Sequence, residues 1–110
     1  MNRIAMSRAA CGLLRALVSR AGVSRDRILL TAVTSTDWQS LTLVGERHCL
    51  ELRVPGEDSA QIVATMCAGL EDAEFRISGQ IVADISLVGD PVASADGSTI
   101  VKVEALTVSE

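Results

Sequence analysis

The stretch Gln39-Ser40-Leu41-Thr42-Leu43-Val44-Gly45-Glu46-Arg47-His48-Cys49-Leu50-Glu51-Leu52-Arg53-Val54 decides the fold. Apolar and polar residues alternate on both sides of Gly45-Glu46, the signature of half-buried β-strands. A two-residue loop that opens with glycine suits a type II′ hairpin. That register sets Val44 opposite Arg47, Leu43 opposite His48, Thr42 opposite Cys49, Leu41 opposite Leu50 and Ser40 opposite Glu51. Leu41, Leu43, His48, Leu50, Leu52 and Val54 then share one face, while Ser40, Thr42, Arg47, Cys49, Glu51 and Arg53 populate the other. A sheet with one covered face and one largely wet face follows.

Upstream of this unit, Ile28 to Thr34 reads as a strand and Ser35-Thr36-Asp37 as a turn. Ahead of the strand, Met6, Ala9, Ala10, Leu13, Leu14 and Leu17 fall on one face at 100° per residue, with Gly12, Arg8, Arg15 and Ser19 opposite. This predicts an amphipathic helix over about residues 4–21, stopped by Gly22. Its arginines leave three roles open: a helix packed on the sheet, a targeting segment, or a helix that binds an anionic surface. A secretory signal is rejected, because Arg15 interrupts the apolar run.

Downstream, Pro55-Gly56 ends the strand, and Asp58 with Gln61 resembles a capping box. Ile62, Met66 and Leu70 recur at four-residue spacing, flanked by Val63 and Cys67, so a second helix is expected over about residues 58–68 with Gly69 as its cap. Three strands follow, Glu74 to Ile77, Ile81 to Val88 and Thr99 to Val108. If Ser78-Gly79-Gln80 is a loop, Phe75, Ile77, Ile81, Ala83, Ile85 and Leu87 share one face; a bulged strand through Gly79 is the alternative. Residues 89–98, turn-rich at both ends, are expected to be a mobile connection. The order α-β-β-β-α-β-β-β implies one two-layer α+β domain over residues 1–110, with both helices on one face of a mainly antiparallel sheet.

Length and composition agree with this reading. The chain has 110 residues, 48% hydrophobic and 22% charged, which is ordinary for a globular domain. No run of 18 apolar residues exists, so no transmembrane helix is expected. The net charge of −4 is unevenly spread: residues 1–25 carry five arginines and no carboxylate, and residues 26–110 carry fourteen carboxylates against five basic groups, a net −9. An acidic body with only Trp38 and Phe75 as aromatics disfavours nucleic-acid binding.

Residues able to carry chemistry are few. Cys11, Cys49 and Cys67 are odd in number and irregularly spaced, which points to reduced thiols in the cytoplasm and, with no C-x-x-C pair, away from a zinc site. His48 and Cys49 are strand neighbours on opposite faces and cannot form a dyad. The carboxylates match no calcium loop and read as solvated or ion-paired surface, and no phosphate-loop, nucleophile-elbow or zincin motif occurs. No cofactor, metal or catalytic residue is therefore assigned. The leading expectation is a non-catalytic cytoplasmic protein-interaction domain that forms a homodimer, through an open sheet face bearing Val44, Val82 and Val88 or through the first helix. The alternative is a small-ligand-binding protein or minor enzyme with a pocket between the second helix and the sheet, near Trp38, His48 and Cys67.

Overall fold

In a computed structural model, which describes residues 6–110, the chain runs α1 (Arg8–Ala21), β1 (Leu29–Gln39), β2 (Val44–Val54), α2 (Ser59–Cys67), β3 (Gln80–Leu87), β4 (Val92–Ala93) and β5 (Thr99–Ser109). The strands form one antiparallel sheet in the order β1-β2-β5-β3, with β4 also pairing with β5. The α+β class, with two helices laid against the sheet, is as expected. Two strands rather than three precede α2, however, and residues 74–77 contribute only a bridge from Ile77 to Gln80.

The helices form where periodicity and caps coincide. Ser7 caps α1, its Oγ accepting the Ala10 N–H at 3.1 Å, so the helix begins at Arg8; the first part of the expected 4–21 span lies outside the described residues. Gly22 ends it in the left-handed conformation, φ 72°. Ala9, Ala10, Leu13, Leu17 and Ala21 are buried, and Leu13 and Leu17 enter the central cluster, so α1 is integral to the fold. In α2 the expected capping box does not form. The Asp58 carboxylate instead accepts a hydrogen bond from Arg27 at 2.6 Å, which holds it below the usual carboxylate range. Arg20 joins the two helices: its Nε donates to the Met66 carbonyl at 3.0 Å, its Nη2 donates to the Ala68 carbonyl, and its guanidinium lies over the Phe75 ring. A cation thereby satisfies carbonyls at the C-terminus of α2.

One cluster unites Leu13 and Leu17 of α1, Ile62, Val63 and Met66 of α2, and Leu50, Leu52, Val54, Val101, Val103, Ala105 and Ile85 of the sheet. The sheet residues alternate along their strands, so a single face is covered. Registers differ from expectation at two places. The tight turn at Gly45-Glu46 is absent. β1 continues through Ser35, Thr36 and Asp37, and the hairpin turns at residues 40–43, so Ser35 pairs with His48, Thr36 with Arg47 and Trp38 with Gly45. Gly45 lies within β2 because β5 passes so close that a Cβ there would collide with the Thr107 carbonyl oxygen. In β3 a bulge between Val82 and Asp84 puts Val82 opposite Thr107, on the helix side, and Ile81 opposite Val108, on the open side.

The connection over residues 89–98 is also more ordered than its composition implies. Val92 and Ala93 pair with Ile100 and Thr99, and Asp96 Oδ1 accepts from the Ser98 N–H at 3.0 Å and from its hydroxyl at 2.6 Å. Buried Ser59 ties the start of α2 to it, donating to the Gly97 carbonyl at 3.0 Å.

Candidate functional site

His48 has no exposed surface, and its imidazole bridges three strands. Nδ1 lies 2.7 Å from Ser35 Oγ on β1, and Nε2 lies 2.8 Å from Thr107 Oγ1 on β5. A neutral imidazole has one donor and one acceptor nitrogen, and hydroxyls complement either, so both ring nitrogens are satisfied without charge. Burial lowers the His48 pKa below its usual value, and Glu46 on the same strand face partly opposes this. The arrangement is a polar strut within the sheet and holds a weak base. Its partners Ser35 and Thr107 escaped sequence reasoning, because neither is near His48 in the chain.

Trp38, His48 and Cys67 are not brought together. Trp38 pairs with Gly45 on the open face, His48 points under the helices, and Cys67 lies at the end of α2 in a shallow cleft with Leu70 and Leu87. Burial raises the Cys67 pKa, with Arg20 opposing, so the thiol is protonated at neutral pH. The expected pocket between α2 and the sheet is filled by Ile62, Val63 and Met66, all buried against the central cluster. Among the described residues, no three His, Cys, Asp or Glu side chains converge on a point that would hold a metal ion, and no helix is long and apolar enough to cross a membrane.

The three valines expected on the open face also separate. Val82 packs against the core from the helix side, turned there by the bulge. Val44 shares a face with Glu46 and His48, again the helix side, but lies beyond helical cover and is 63% exposed. Val88 follows Leu87 and is exposed on the open side. That open face mixes exposed apolar side chains, among them Leu29, Ile81 and Val92, with cross-strand charge: Arg47 Nη1 lies 3.6 Å from Glu104 Oε1, and Lys102 Nζ lies 4.0 Å from Glu51 Oε1. Arg53 also pairs with Asp96. Ions paired in this way are stable in water and need no partner protein.

A long unpaired strand edge lies along the outer side of β1. This edge strand has eleven residues; apart from the irregularity between Leu30 and Ala32 it is regular, and Asp37 is its only charge. Beyond it, the turn exposes Leu41 completely and Leu43 and Val44 largely. On the helix side of the same edge, α1 and β1 enclose a groove of about 360 Å³, lined by Met6, Cys11, Leu14, Val18, Ile28 and Leu30, with Arg15 and Arg25 also on its wall. Among the described residues, neither arginine forms an ion pair, and neither do Asp37 or Glu46 near the turn. Comparison with protein-family models gives no match, and comparison with curated proteins gives none either.

Proposed function

We propose that the chain is a non-catalytic cytoplasmic interaction domain that works as a homodimer. The observation that carries this reading is the bare outer edge of β1 ending in a fully exposed Leu41. Long edge strands in monomers are ordinarily blunted by charge, proline or shortness, because their free N–H and C=O groups template pairing with another chain. From Ala32 to Gln39 this edge has one charge, no proline and no irregularity in its pairing with β2. An exposed leucine in a turn, beside exposed Leu43 and Val44, adds apolar area that water disfavours. Unpaired thiols at Cys11, Cys49 and Cys67 support a reducing compartment.

Native mass spectrometry and light scattering across a concentration series test the reading. The expected result is a species of twice 11.6 kDa that the double substitution Leu41→Asp/Val44→Asp converts to monomer. A wild-type chain that stays monomeric up to its solubility limit would overturn it.

A further inference from the structure

We propose that two copies pair their β1 edges antiparallel about a two-fold axis at Ser35, so that the turn of each docks at the α1–β1 groove of the other. This rests on the homodimer reading and specifies its geometry. The hydrogen-bonding pattern decides which residues form the seam. Ser40 N–H donates to the Leu43 carbonyl at 2.9 Å, and alternation from that bond turns the backbone groups of Ala32, Thr34, Thr36 and Trp38 toward β2. The N–H and C=O groups of Val33, Ser35, Asp37 and Gln39 therefore point outward. A two-fold perpendicular to the sheet keeps helix sides together and pairs these outward-pointing residues with one another. Placed at Ser35, it pairs Val33 with the partner copy's residue 37 and sets the partner's turn level with the groove.

The same axis determines what meets the groove. Beyond the seam, the partner's turn comes level with Ile28 and Leu30, which line it. Apolar Leu41 is thereby delivered to an apolar wall, and the carboxylates of Asp37 and Glu46 approach Arg15 and Arg25, all four without an intrachain ion pair among the described residues. The charge match favours a second copy as occupant, since the chain carries both halves. Its own turn cannot serve: Gln39 lies nine residue steps along the strand from Leu30, a span of roughly 30 Å at about 3.3 Å per residue. The two-fold provides each turn–groove contact twice, so the interface is isologous and closed.

Charge reversal with rescue tests the docking. Asp37→Arg/Glu46→Arg and Arg15→Glu/Arg25→Glu should each weaken dimerisation at least about tenfold in sedimentation equilibrium, and mixing the two variants should give a heterodimer close to wild-type affinity. In a Cys49→Ser/Cys67→Ser background, Leu41→Cys should also cross-link to native Cys11 of the other copy through a short bismaleimide, yielding a covalent dimer. A dimer that tolerates both reversals and gives no cross-link would overturn the docking while leaving the homodimer reading intact. A monomeric wild type would overturn both.

Discussion

The two ends of the β1–β2 hairpin share one alternating pattern and meet opposite fates. At its root, Leu50, Leu52 and Val54 have no exposed surface, roofed by Leu13 and Leu17 of α1 and by Val63 and Met66 of α2. At its tip, Val44 occupies the same strand face as these residues and is 63% exposed, and Leu41 is bare. Alternation therefore decides which way a strand residue points, and helical cover decides whether it leaves water. Apolar residues kept at the uncovered end do nothing for the isolated fold. The proposed association would give them a use.

Truncation at the two ends provides the widest contrast. Leu52→Ala, at the root, is expected to lower unfolding free energy by about 2–5 kcal/mol, since the packed cluster cannot close the cavity. Leu41→Ala, at the tip, is expected to shift the free energy of a dilute monomer by less than about 0.5 kcal/mol. Urea unfolding at low protein concentration measures both. Comparable losses at both ends would mean that Leu41 is packed within its own chain.

A smaller loss is expected midway, where β2 crosses from the covered to the bare half. Gly45→Ala places a methyl group against the Thr107 carbonyl and should destabilise by about 1–3 kcal/mol, a typical cost of overpacking. Trp38→Ala is the useful companion. Trp38 pairs with Gly45, whose other neighbour Val108 is buried although it lies on the face that no helix covers. If the indole shields that glycine row, Trp38→Ala raises the exposure of Val108, and hydrogen exchange at the end of β5 should accelerate. An unchanged melting temperature for Gly45→Ala would show that the strands are less close there.

What sequence reading recovered, and what it missed, follows the range of the interactions involved. Both helices were legible because their signals are local: Leu13 and Leu17, or Ile62 and Met66, repeat at helical spacing, and Gly22 and Gly69 take left-handed conformations at or just past the helix ends. The covered face of β2 was legible for the same reason, as Leu50, Leu52 and Val54 lie in one another's pattern. The hairpin turn was not. Ser35-Thr36-Asp37 has turn-forming residues, yet pairing with Glu46, Arg47 and His48 holds it extended, and Gly45 serves close approach rather than a turn. Only the position of Thr107, far along the chain, distinguishes those two uses of glycine. Likewise one extra residue in β3 reversed Val82 and Ile81, because a strand's period is two and a single bulge moves every earlier side chain to the other face. Of the residues assigned to a site, His48 was placed on the correct face, but Ser35 and Thr107, which fix its ring, came from strands whose order no local pattern reveals.

His48 marks where cover ends, since it is the last fully buried residue of its face before half-buried Glu46 and exposed Val44. Burial holds its folded-state pKa below the unfolded value near 6.5, so above that pH neither state is protonated and the imidazole imposes no penalty. As pH falls through 6.5, the unfolded chain takes up a proton that the folded chain resists. Stability is then lost until the lowered folded value is reached, below which this residue adds no further dependence. Urea midpoints of the wild type at about pH 7.5 and about pH 5 should therefore differ by more than those of His48→Gln, whose amide keeps hydrogen-bonding capacity without titrating in this range. Equal differences in the two proteins would place His48 in contact with water, and the covered half of the hairpin would then end nearer its root, at Leu50.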